Sequence, residues 1–181
     1  MNRQHRILVL LALAAALVWA LPPMAQQRID ETRPVDGDAT ISVECLAGQV
    51  TIETWDRDEV QITGTLDPQA EELRITGGGG DLEIEVEYPD DVGDLDTGSD
   101  LRLQVPEQAS VEVSTVSASI TVDDVRGDVE IETVSGSVTV RGEPDELEIE
   151  SVSGTLDIDV QTDSASLACV SGDLTVRGVR E

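Results

Sequence analysis

The sequence has no phenylalanine and no lysine, and its only histidine, His5, lies at the extreme N-terminus. Charge of one sign is nearly missing as well: 38 acidic residues face 11 arginines, for a formal net charge of −27 in 181 residues. Phosphates must be neutralised by basic side chains, so nucleic acid and anionic lipid are excluded as natural partners. Without histidine or lysine in the body of the chain, its many serines have no ordinary base to activate them as nucleophiles. Carboxylate pairs of the glycosidase kind are formally present, but acids are so abundant that no pair is singled out. The chain is therefore read as non-catalytic and free of cofactors.

Long apolar runs are also scarce. The one present, Ile7 to Leu21, follows Arg3, His5 and Arg6 and precedes Pro22-Pro23-Met24-Ala25. It is shorter than the ~20 residues of a membrane span and has the layout of a secretory signal peptide. Cleavage is expected after Ala25, with Ala20 the next candidate. No cysteine for a lipid anchor and no Arg-Arg pair accompany it, which leaves the general secretory route to the periplasm or cell surface, with no membrane span.

High charge with few aromatics is also the composition of disordered chains. Against disorder stands a repeat. Val116-Ser117-Ala118-Ser119, Val134-Ser135-Gly136-Ser137, Val152-Ser153-Gly154-Thr155 and Val170-Ser171-Gly172-Asp173 follow one another at a spacing of 18 residues. Aligned on this period, the apolar columns are Val111, Val129, Leu147, Ala165; Val113, Ile131, Ile149, Leu167; Ile120, Val138, Leu156, Leu174; and Val122, Val140, Ile158, Val176. Each unit is two short strands of period two joined at a corner, where glycine supplies a backbone that other residues reach poorly. One unit cannot bury its apolar face alone, so the units must stack. The fold expected is all-β: a single-domain parallel β-solenoid (β-helix) of 18-residue rungs.

The same frame recurs at Ile41, Val43, Cys45, Leu46, Gly48, Val50 and Ile52, and survives irregularly through Val60 to Val105, for about seven rungs in all. Residues 39–181 then form the solenoid, and 26–38 a flexible lead-in or cap. Gly77 to Gly80 and the acidic stretch Pro89 to Asp100 read as loops thrown out from corners. Gly77 to Gly80 lacks the Lys-Ser/Thr of a phosphate loop.

Outside the core, Asp123, Arg141, Asp159 and Arg177 alternate in sign down one column, a ladder that sets register; Gly48, Gly136, Gly154 and Gly172 are the structural corner glycines. Glu130 over Glu148 and Glu132 over Glu150 are like-charge columns. They are the candidate ligands for a divalent cation or a cationic partner, but a flat ladder lacks the convergent oxygen shell that calcium requires, and a solvated acidic face is the plainer reading. Cys45 and Cys169 share one inward column at opposite ends of the expected stack. Six rungs at about 4.8 Å would separate them by nearly 30 Å, too far for a disulfide. Trp55 reads as a lid over a corner, with sugar stacking the alternative.

The signal peptide, the opening unit ending in Thr54-Trp55-Asp56, and the Val-Ser-Gly-x-Val-x-Val-Arg-Gly units at Val134 to Gly142 and Val170 to Gly178 together resemble the bacterial putative-adhesin family. That resemblance spans most of residues 38–181. It implies an envelope β-solenoid and brings no catalytic residues with it. The expected function is an exported, non-catalytic adhesin or scaffold presenting a rigid face to an envelope protein or cell-surface glycan, with end-to-end oligomers a further expectation. The alternatives are a periplasmic sensing or regulatory module and, behind it, a polysaccharide-active β-helix enzyme.

Overall fold

The computed structural model describes residues 27–89 and 98–178. The expected signal peptide and most of the acidic stretch after Pro89 lie outside the described residues. Among the described residues every regular element is a strand: β1 (Arg28–Trp55), β2 (Glu59–Thr65), β3 (Glu72–Glu87), β4 (Ser99–Pro106), β5 (Ser110–Val125), β6 (Val129–Gly142), β7 (Glu146–Val160) and β8 (Ser164–Arg177). All eight belong to one sheet, ordered β2-β4-β1-β5-β6-β7-β8, with β3 on β1.

The 18-residue period is the register of this sheet. From β5 to β8 the strands pair in parallel so that Val111 meets Val129, Val129 meets Leu147 and Leu147 meets Ala165. Parallel in-register pairing puts each residue beside its equivalent one period away, so the apolar columns become continuous. Val111, Ile131, Ile149, Val138, Leu156 and Ile158 are fully buried.

The corner motif has a local cause. Gly136, at φ +132°, lies so close to β5 that an added Cβ would sit 2.0 Å from the Ala118 carbonyl oxygen; Gly154 stands in the same relation to Gly136. Only a residue without a side chain fits there. Next to it, the ladder runs Thr115–Thr133 and then Ser117–Ser135, passing over the intervening valines. The Ser135 hydroxyl donates to the Val116 carbonyl at 3.3 Å, and Ser153 does the same for Val134. Serine thus meets the hydrogen-bonding need that the bend creates.

Three parts of the chain depart from the sequence-based layout. The first unit does not stand at the end of the stack: Thr40–Glu53 pairs directly with Ser110–Asp123 of β5. The irregular middle lies on β1's other side, where Asp81–Glu85 of β3 covers Thr40–Glu44 and Ser99–Pro106 of β4 covers Gly48–Trp55. β3 and β4 together follow the course of β1, and Pro89 to Gly98 is the insertion between them.

Second, the segment expected as a flexible lead-in or cap is sheet. Arg28–Pro34 pairs antiparallel with β2, which also pairs antiparallel with β4. Third, Gly77 to Gly80 is a bend inside β3 rather than a corner loop. The first arm folds back on the second, with the Glu71 N–H donating to the Glu87 carbonyl at 2.8 Å and Thr76 Oγ1 to Glu83 at 2.9 Å. Sequence gave these pairings no signal, because antiparallel strands need no repeat.

Candidate functional site

Just before the corner position, held by Gly48, Ala118, Gly136 and Gly154 in turn, each of four layers contributes three residues to one groove: Glu44-Cys45-Leu46, Ser114-Thr115-Val116, Glu132-Thr133-Val134 and Glu150-Ser151-Val152. The middle residue of each triplet points inward and is buried, while its neighbours stand out to either side. Parallel stacking turns these triplets into a groove of about 900 Å³ running across the strands. Ala168 and Val170 close it at β8; Glu71, Glu85, Glu87, Tyr88 and Pro89 frame the other end.

The two walls differ in chemistry. One is a valine ladder, Val116, Val134, Val152 and Val170, with exposures of 47% to 82%. A column of exposed valines is unusual for a residue so often found in cores. The other wall carries Glu44, Glu132 and Glu150.

The floor is a short polar chain: Thr115 Oγ1 donates to Thr133 Oγ1 at 3.0 Å, and Thr133 Oγ1 donates to the Ser135 carbonyl at 3.1 Å. The Ser151 hydroxyl is buried with no partner among the described residues. Cys45 donates its thiol to the Ala47 carbonyl at 3.3 Å, and burial pushes its pKa up to about 11.

The acidic face extends beside the groove. Glu130 lies in register with Glu112 and Glu148, and Glu132 with Glu150. Glu130 holds its proton more tightly than an ordinary glutamate, first through desolvation and then through Glu112, Glu148, Glu132 and Glu150. Ser42 relieves one end of the column by donating to Glu112 at 2.9 Å. Among the described residues, no group of three or more histidine, cysteine or acidic side chains is arranged to hold a metal ion.

The remaining sequence-designated residues lie elsewhere. Asp123, Arg141, Asp159 and Arg177 share one column. Arg141 reaches Asp123 at 3.3 Å, whereas Arg177 bonds Asp157 at 3.0 Å. Gly48 and Gly172 continue the corner column of Gly136 and Gly154. Cys45 and Cys169 are both free. Four parallel steps separate them, because β1 adjoins β5, so the gap is about 19 Å, still too long to bridge.

Trp55 fastens the β1–β2 turn: its Nε1–H donates to the Glu59 carbonyl at 2.7 Å and the Arg57 guanidinium lies 4.8 Å from its ring centre. Asp67 anchors the base of the acidic insertion, accepting from the Gln69 and Gly98 amides and donating its own N–H to Ser99 Oγ. The groove and Asp67 escaped sequence reasoning. The recurrent triplet before Ser-Gly was the available signal for the groove; Asp67, outside the repeat, had none.

The fold and groove define a class: an all-β protein built on one mostly parallel sheet, with a lengthwise cleft that is apolar on one side and acidic on the other. Neither a protein-family model nor a curated protein matches the sequence. Among solved structures the chain is similar to a "putative cell adhesion protein" from Clostridium sporogenes, at 9% identity and TM-score 0.46, over 82% of this chain and 100% of that one. It is also similar to a "putative adhesin" from Bacteroides fragilis, at 9% identity and TM-score 0.44, over 84% and 94% of the two chains. A third, from Parabacteroides distasonis, has 15% identity and TM-score 0.38, over 84% and 78%.

Proposed function

We propose that this chain is an exported, non-catalytic β-solenoid that binds an extended cationic segment of a partner protein along its groove. The solenoid reading rests on the 18-residue register shared by β5 to β8 and on the corner glycine repeated in β6, β7 and β8. The non-catalytic reading rests on the lack of histidine and lysine beyond residue 5.

The observation that carries the binding role is the valine ladder standing across one groove from Glu44, Glu132 and Glu150. An extended segment alternating apolar and basic side chains matches both walls. Burial of the valines supplies the affinity, and the glutamates choose the sign of the partner. Export rests on the leader expected at residues 1–25, and the proposed role is that of an adhesin or scaffold in the periplasm or at the surface.

Titration calorimetry with three synthetic peptides tests the role, using alternating Lys/Val, Lys/Ser and Glu/Val sequences. The Lys/Val peptide should bind, lose affinity with added salt, and lose it again in a Val134→Ser, Val152→Ser variant. Equal binding of all three, or binding indifferent to the valine substitutions, removes the groove as the site. Protease added to intact cells separates a surface scaffold from a periplasmic one.

A further inference from the structure

The outer edge of β8 differs from every other layer of the repeat. Its apolar columns are uncovered: Leu174 is 46% and Val176 41% exposed, whereas Leu156 and Ile158 directly beneath them are fully buried. Its backbone edge has no strand on it among the described residues. Such an edge is a template for further pairing.

The acidic columns also stop there. Glu146, Glu148 and Glu150 of β7 lie against Ser164, Ser166 and Ala168 of β8. The charges left on β8 are Asp173 and Arg177, one of each sign. In a chain of net charge −27, the layer with the open edge is electrically neutral. A second copy is the one partner certain to bring the same neutral surface, since two edges meeting here oppose no glutamates.

We propose that β8 is a self-association surface on which a second copy of the chain pairs antiparallel about Thr175. Antiparallel pairing about that residue sets Leu174 opposite the second copy's Val176 and Asp173 opposite its Arg177, and the two-fold axis repeats both pairs in reverse. The apolar pair continues the core and the charged pair faces outward, because residues opposite each other share a face of the sheet. Parallel pairing would not give this reciprocity. At the other side of the sheet, β2 is held antiparallel on β4 and on Arg28–Pro34. That side does not repeat the β8 edge, so association closes at a dimer instead of growing into a fibre.

The test uses the chain expressed with its own leader and purified after export. Sedimentation equilibrium should show a monomer–dimer equilibrium. Asp173→Arg places arginine against arginine, and Arg177→Asp places aspartate against aspartate, so each should weaken dimerisation about tenfold. An equimolar mixture of the two should recover it, because the heterodimer restores both opposite-charge pairs. In a Cys169→Ser background, Thr175→Cys should form a disulfide-linked dimer under mild oxidation. A wild-type chain that stays monomeric, a mixture that fails to recover, oligomers beyond the dimer, or no Thr175→Cys crosslink each overturns the proposal.

Discussion

The hydroxyl of Ser153 donates to the carbonyl of Val134, 19 residues earlier and one layer away, as that of Ser135 does to Val116. These bonds fill the ladder position that the bend passes over, and so tie the repeated Val-Ser pair to the groove. Ser135→Ala should destabilise the chain by about 0.5 kcal/mol, the low end for a hydrogen bond because the site is exposed. Urea unfolding measures this, and an unchanged midpoint would show the bond to be incidental.

Two glycines should respond very unequally to the same change. Gly154→Ala forces a Cβ to 2.0 Å from the Gly136 carbonyl oxygen at φ +154°, and a loss of about 3 kcal/mol or more is expected. At Gly80 an added Cβ meets nothing within 4 Å, so Gly80→Ala should leave the melting temperature nearly unchanged.

On the groove floor, Thr133 and Ser151 occupy equivalent places with unequal hydrogen bonding. Thr133→Ala breaks bonds to both Thr115 and the Ser135 carbonyl and should cost about 1–2 kcal/mol. Ser151→Ala removes a buried hydroxyl that has no partner among the described residues and should be neutral or stabilising. Thermal melts of the two variants check the ordering, and an equal loss in both would contradict it.

The thiols should react at different rates. Cys45 is buried, and its pKa of about 11 leaves little thiolate at neutral pH, while Cys169 is only half-buried. Iodoacetamide followed by mass spectrometry should label Cys169 first and Cys45 only on unfolding. Early labelling of Cys45 would mean that β1 opens locally.

The acidic face sets a pH dependence. The folded-state pKa of Glu130 is raised, so its protonation favours the folded chain: a stabilising contribution missing at neutral pH appears as pH falls through the folded value. Glu130→Gln should therefore raise the melting temperature at neutral pH, with the gain shrinking as the solution is acidified into the carboxylate range. A gain independent of pH would point to packing instead of charge.

Much of the parallel part of the sheet is legible in sequence, because in-register stacking forces like residues into columns. Val129 over Leu147, Gly136 over Gly154 and Asp123 beside Arg141 are all countable from the 18-residue period. The adjacency of β1 to β5 is not, since 55 residues of irregular length intervene between Trp55 and Val111 and their order implies nothing about which side of β1 they occupy. Nor is the groove that Val116, Val134 and Val152 line. A valine in an apolar repeat reads as core, although the alternation that buries Val113 and Thr115 already turns Val116 outward.

The shared register of β5 to β8 also separates the length of the groove from everything else about it. One more 18-residue unit inserted between β6 and β7 would add a valine, a glutamate and about 4.8 Å of cleft, with the antiparallel strands beyond β1 and the neutral edge at β8 left as they are. The length of the groove is thus set by the number of units, as on a ruler whose divisions can be added or removed without redrawing its ends.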